Sequence, residues 1–392
     1  MGDMCQEMDY GNFFGKKPKW NTIDLWYFNV KYEGAISNSY LYNLIKKKNL
    51  FLPRFYLEPI LIYAKRFHRF KNHIIPYYCG RENLFKPARN FPSPSTWLKA
   101  FDSKGLSEYF TINESEAFEL CNKLGFEKNK NIIGIHIRDS NSDNKAINEL
   151  SRLENSAHRV EQLKKFMRQS ELRNSDLLDF IPAVTALNEL DNVVVRLGRD
   201  SKPFDRADIS PLVDYPHSGF YSPKNDVILM GIMKYLICST SGMAALAHWW
   251  RKPIFLVDFP DLFSQPATCI TYKSAPIILP KVVRYRKDDA LLSLEEILNS
   301  DVFKLTTPVR RDYLLSPNSE IYLTPNSPDV ITNTILLGNL ELLQSAPPHL
   351  VEFGKKAYQR LYGFESYSLA PVLSPYWPNL LSEGVFGKNN KL

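Results

Sequence analysis

His136, Arg138 and Asp139 close the segment Asn131 to Asp139, NIIGIHIRD. An imidazole, a guanidinium and a carboxylate within four residues suit anion recognition coupled to proton transfer. The planar donor fork of arginine matches phosphate oxygens two at a time, and each charge-assisted bond of this kind contributes about 1.5–3 kcal/mol. Imidazole, with a reference pKa near 6.5, carries protons close to neutrality. The plainer alternative is that Arg138 and Asp139 pair with each other at a strand end.

A second group lies at Ser239-Thr240-Ser241-Gly242, inside CSTSGMAALA. Small hydroxyl residues and glycine ahead of an Ala-rich helix leave backbone amides at the helix start, where the dipole favours phosphate. Ser and Thr are also ordinary N-caps. Arg173-Asn174-Ser175-Asp176 supplies a further cation, amide and carboxylate, with Ser175 or Asp176 placed to cap a helix. Asp226 reads as a first-turn acid that complements a helix dipole. Asp139 and Asp176 are the candidate catalytic bases, with His136 as a rival. Phosphate charge would then be met by Arg138, Arg173 and helix amides. No Gly-Lys-Ser loop, Gly-x-Gly-x-x-Gly turn, Asp-x-Asp pair or Cys-x-x-Cys pair occurs, so neither a dinucleotide cofactor nor a metal is expected.

Positioning these residues requires a parallel sheet. Ile133, Ile135 and Ile137 alternate with Gly134, His136 and Arg138, the period of a strand. Asn192 to Leu197 (NVVVRL, followed by Gly198), Tyr235 to Cys238 and Pro253 to Asp258 read as further strands, and Ile209 to Tyr215 as a short one. Helices are expected over Asp176 to Leu190, kinked or restarted at Pro182, over Asp226 to Tyr235, over MAALAHWW, and from Ser327 toward Leu343. Asn113 with Glu116, and Ser293 with Glu296, form capping-box pairs. Strands alternating with helices imply right-handed βαβ units, with ligands outside the carboxyl ends of the strands. Earlier in the chain, Ile23 to Val30 reads as a strand, and Ile36 to Leu52 and Leu57 to Phe70 as helices. Ser140 to Arg173 is a charged excursion with a helix over Arg159 to Gln169.

With 392 residues, the chain is long enough for two domains. The expected division is an amino-terminal lobe over 1–128, a ligand-binding lobe over 129–310 and a helical carboxyl-terminal tail over 311–392. Five scattered cysteines point to a reducing compartment. No apolar run approaches a membrane span, and the first residues lack a signal-peptide pattern. Of the net charge of +7, most belongs to the first third, with 19 Lys and Arg against 13 Asp and Glu through Lys128. That basic third, with Lys46, Lys47 and Lys48 and then Lys65, Arg66, Arg69 and Lys71, suits an anionic membrane surface or acceptor. Nucleic acid is not expected, since no recognition signature accompanies the charge. The expected location is the cytoplasm, with peripheral attachment to the inner face of the membrane.

In order, GIHIRD, RNSD with FIPA, VVVRLG, DY, CSTSGMAALA and KPIFLVDFP resemble a group of bacterial glycosyltransferases found among surface-polysaccharide genes. They are also similar, at greater distance, to the fucosyltransferase superfamily. The resemblance covers Asn131 to Pro260 and implies a GT-B fold, two Rossmann-like lobes with parallel sheets and a cleft between them. It implies metal-independent transfer of a sugar from a nucleotide-sugar donor, a GDP-sugar first, to a polysaccharide or lipid-linked acceptor. Arg138 would hold the donor's β-phosphate with His136 in support. Ser239, Thr240, Ser241 and Gly242 would cradle the diphosphate, Gly198 would lie beside the base or ribose, and Arg173 and Asn174 would complete the donor site. The alternatives are a nucleotide- or sugar-binding protein without turnover and a membrane-docked scaffold of polysaccharide synthesis.

Overall fold

Strand β3, Asn131–His136, forms because Ile133 and Ile135 are buried on one side while Ile132 is buried on the other, where Gly134 lets Met233 approach. A Cβ at Gly134 would lie 2.5 Å from the Met233 sulfur. The computed structural model describes residues 110–127, 129–139, 168–199, 201–204, 212–262, 277–339, 347–362 and 372–382, with isolated positions between 25 and 51, at 107 and between 161 and 170. The predicted strand over Ile23 to Val30 is described only at β1, Leu25–Trp26, which pairs in parallel with β2, Leu50–Phe51. The helix expected through Leu52 therefore stops before Leu50, in keeping with Pro53, which disfavours helical backbone just ahead of it. The helix expected over Leu57 to Phe70 and the basic clusters beyond Lys46 lie outside the described residues, as does most of 140–167.

Beside β3 stand β4 (Asn192–Arg196), β5 (Val213–Asp214), β6 (Tyr235–Cys238), β7 (Ile254–Phe259), β8 (Ile277–Pro280) and β11 (Val372–Leu373). They form one seven-stranded sheet in the order β11-β8-β7-β6-β3-β4-β5, and every neighbouring pair is parallel. Every residue of β6, β7 and β8 is buried, which explains their unbroken apolar sequences: helices cover both faces of a parallel sheet. The chain runs outward from β3 through β4 to β5, then returns across to β6 and continues the other way. Right-handed crossovers therefore place helix α2 (Ile181–Glu189) on one face, and α3 (Pro223–Ile232) and α4 (Gly242–Trp249) on the other. Helix α8, Pro328–Asn339, packs on α2; α1, Glu114–Lys123, packs on α3.

Several boundaries differ from expectation for local reasons. The Asp176 to Leu190 segment divides into a 3-10 turn, Leu177–Phe180, and α2, which restarts with Pro182 in its first turn. That suits a residue with no amide proton to offer. Helix α3 begins at Pro223 because Ser222 caps it through the Asn225 amide. The strand expected over Ile209 to Tyr215 is reduced, among described residues, to Val213–Asp214. Ser293 and Glu296 form the reciprocal capping box that was anticipated.

Described contacts and elements cross the expected domain boundaries. Ala117, Leu120 and Cys121 of α1 belong to the same core as β3, so 128–130 is no junction between cores. The boundary at 310 falls inside the helix Thr307–Leu314. Residues 311–392 are not a helical tail, because β10, Ile321–Thr324, pairs antiparallel with β9, Val282–Tyr285, and β11 is an edge strand of the main sheet. Trp377 is fully buried, with its indole N–H donating to the Lys281 carbonyl at 3.2 Å. The Asn379 side chain bonds to both the amide and the carbonyl of Val283. Trp377→Ala is expected to destabilise the protein by about 3–5 kcal/mol, read as a lower denaturant midpoint at unchanged slope. An unchanged midpoint would mean that the last strand is dispensable to the core.

Candidate functional site

The order of the strands creates a switch point between β3 and β6, where successive connections diverge to opposite sides, and such crevices are where open α/β sheets bind ligands. Register then decides which side chains meet there. His136 is level with Cys238, so the residues that follow each strand lie side by side. The Arg138 amide donates to Ser239 Oγ at 2.9 Å, and the Ser239 amide donates to the His136 carbonyl at 3.2 Å. Arg138 and the Ser-rich turn, 101 residues apart in sequence, are neighbours.

Ser241 has extended backbone and N-caps α4, yet its hydroxyl makes no capping bond. The first-turn amides of α4 therefore have no side-chain cap. The hydroxyls of Thr240 and Ser241, Nδ1 of His136 and the side-chain oxygen of Asn174 are all buried without a hydrogen-bond partner. Buried polar atoms normally find partners, and these four all stand at or beside the carboxyl ends of β3 and β6. Ser239 behaves differently from the expected cradle. It is wholly buried and its hydroxyl is engaged by Arg138, so it braces the site and does not face a ligand. Gly242 is exposed at the helix start.

On the β4 side, Gly198 has φ +114°, and a Cβ there would meet His136 Cδ2 at 2.7 Å and Nε2 at 2.8 Å. The imidazole lies over the glycine, which keeps His136 and the end of β4 in close contact. Burial, with Arg138 and Arg196 adding to it, holds the His136 pKa down to about 4. The residue is thus neutral near pH 7, a hydrogen-bonding group and a weaker base than its reference pKa suggested. Asp139 accepts the Lys202 amide at 2.9 Å and lies 3.9 Å from Arg196, which is itself buried and 3.3 Å from Asp214. Asp176 is an exposed N-cap whose Oδ1 takes the Leu178 amide at 3.0 Å. That is the plainer of its two readings, and it turns the carboxylate toward its own helix. Arg173 is half-buried in the same loop, and the Asn174 carbonyl accepts from Lys281 Nζ at 3.0 Å.

Two features were missed. Asp258, read only as the end of a strand, is a fully buried carboxyl that takes hydrogen bonds from Ser175, from the Asn326 amide and from the Asn326 side chain. Lys281 is buried 3.9 Å away; burial pulls its ammonium below the usual range, against Asp258 and Asp179. A signal existed: Asp258 and Lys281 follow apolar strand runs, as His136 and Ser239 do. Asp226 is in the first turn of α3, as expected, and it is also buried. Its pKa is pushed up to about 7 by that burial, with Tyr221, Arg199 and Tyr215 pulling the other way. Among the described residues no cluster of three His, Cys, Asp or Glu could hold a metal ion, and no helix is long and apolar enough to cross a membrane. No family model, curated protein or solved structure matches this chain.

The neutral His136 yields a test. Between its folded value of about 4 and its ordinary 6.5, the folded state binds fewer protons than the unfolded one, so stability rises with pH in that window and is lost as pH falls through it. In that window the wild-type curve should climb more steeply than that of His136→Gln, by up to about 1.4 kcal/mol per pH unit. Parallel curves from chemical denaturation would mean that the imidazole is solvated.

Proposed function

We propose that this chain is a metal-independent glycosyltransferase that binds the diphosphate of a nucleotide-sugar donor in the crevice between the carboxyl ends of β3 and β6. The observation that carries the reading is the juxtaposition of Arg138 with the uncapped start of α4, bordered by the unpartnered hydroxyls of Thr240 and Ser241. In this reading the Arg138 guanidinium would turn toward the α4 amides where a leaving diphosphate gathers negative charge, and fixed donors at such a place lower the barrier most. His136, held neutral, contributes a hydrogen bond without repelling Arg138. The donor's nucleoside would lie beside the end of β4, where Gly198 holds His136 close. In this reading the described sheet is the donor lobe of a GT-B enzyme, and the first hundred or so residues supply the acceptor lobe.

In the transfer, an acceptor hydroxyl attacks the anomeric carbon while the bond from that carbon to the β-phosphate oxygen breaks. The electron pair leaves on the diphosphate, facing Arg138 and the α4 amides. The hydroxyl proton goes to a carboxylate, for which Asp139 is the candidate, since Asp176 is turned to its own helix. GDP is the nucleotide that the resemblance to fucosyltransferases favours, and a polysaccharide or lipid-linked oligosaccharide is the acceptor.

A thermal-shift panel of GDP, UDP, CDP, CMP and ADP, with and without magnesium, tests the donor site directly. One diphosphate at about 100 times its dissociation constant should stabilise the protein by about 2.7 kcal/mol, equally in EDTA. Arg138→Ala should abolish that shift and any sugar transfer while leaving the unliganded melting temperature close to wild type. No shift with any nucleotide would overturn the donor site. A shift with no transfer from the matching sugar nucleotides would favour a binding protein without turnover.

A further inference from the structure

The backbone of Arg138 is gripped at both of its polar atoms. Its amide donates to Ser239 Oγ at 2.9 Å, and its carbonyl accepts the Ser175 amide at 3.0 Å. Ser175 is held in turn, since its hydroxyl donates to Asp258 Oδ2 at 2.8 Å. Asp258 stands at the end of β7, two strands from β3, with β6 between them. Of the four non-glycine residues with positive φ among those described, Asp258, at +53°, is the buried one. Left-handed backbone is unfavourable for a residue with a side chain, and it persists where surrounding contacts over-determine it. Here those contacts are the Asn326 amide at 2.9 Å, the Asn326 side chain at 2.7 Å and the nearby Lys281 ammonium.

We propose that Asp258 is a positioning residue that acts through Ser175 to fix where the Arg138 guanidinium meets a diphosphate. The proposal rests on the donor-site reading above. Asp258 touches no ligand itself. It holds one oxygen toward Asn326 and the other toward Ser175, so the loop bearing Arg173 and Asn174 closes on the end of β3 at a single height. Lys281 fastens the same loop from below through the Asn174 carbonyl. The left-handed Asp258 sits where the pairing of β7 with β8 shifts between Val257 and Phe259, a bulge of the kind that re-aims a side chain, and the carboxyl so placed reaches Ser175.

A purely structural brace and a positioning role differ in whether their loss depends on Arg138. The measurement is calorimetric titration with inorganic pyrophosphate, a probe free of base and sugar, on wild type, Ser175→Ala, Arg138→Lys and the double variant. Ser175→Ala should weaken binding about tenfold, the scale of one charge-assisted hydrogen bond, whereas Ser175→Thr, which keeps the hydroxyl, should stay within about twofold. In the Arg138→Lys background, Ser175→Ala should have little further effect, because residues that act as a unit are not additive. Asp258→Asn should reproduce Ser175→Ala, as asparagine tolerates the same backbone. If that variant does not fold, the Ser175 cycle decides by itself. Unchanged binding by Ser175→Ala, or an equal loss in both backgrounds, would overturn the positioning role and leave the donor site standing. Wild type that does not bind pyrophosphate, or binds it no better than Arg138→Lys, would overturn the donor site and this inference with it.

Discussion

The hydrogen bond from the Arg138 amide to Ser239 Oγ is the contact on which the rest of the site depends. It joins the end of β3 to the end of β6 at the point where the sheet's connections diverge. The bond lies between two parallel strands whose shared register puts His136 beside Cys238. A one-residue slip of β6 would turn every side chain after Cys238 to the other face, and the Ser239 hydroxyl would no longer meet the Arg138 amide. The seven-stranded sheet and its two helical layers hold that register.

Charge inside the carboxyl edge is arranged by the same economy of partners. A buried charge is tolerated only where hydrogen bonds and a counter-charge replace water. Arg196 is set between Asp139 and Asp214. Asp258 and Lys281 lie within 3.9 Å of each other, and each also bonds to the loop carrying Arg173 and Asn174. Around the crevice, by contrast, polar atoms of His136, Asn174, Thr240 and Ser241 are buried without partners. Each of these four lies at or beside the carboxyl ends of β3 and β6.

His136 illustrates how one neighbour changes a residue's chemistry. Its type and its place at a strand end suggested a proton carrier, but Gly198 admits the ring into a buried slot beside Arg138. Burial and the adjacent guanidinium both disfavour the imidazolium. The outcome is a neutral hydrogen-bonding group within an otherwise cationic corner.

The alternation of the NIIGIHIRD segment, the β-branched run NVVVRL and the apolar runs YLIC and PIFLVD were enough to announce a parallel α/β sheet, since each strand's burial is written in its own residues. The Ser-rich turn before an Ala-rich helix was likewise legible, because a helix start depends on local chemistry. Asp226 and the carboxyl-terminal segment were not: the first-turn position of an acid says nothing about what packs over it, and the short strand Val372–Leu373 acquires its meaning only by pairing with β8. Nor could spacing reveal that Ser175, Asp258 and Asn326, as many as 151 residues apart, share one carboxyl group. Sequence by itself determined the strands, the turns and the kinds of group at their ends, because those follow from periodicity and local hydrogen bonding. Tertiary structure alone decided which ends face each other, which carboxylates are buried and which imidazole is neutral, because register, burial and the approach of distant charges are properties of packed neighbours.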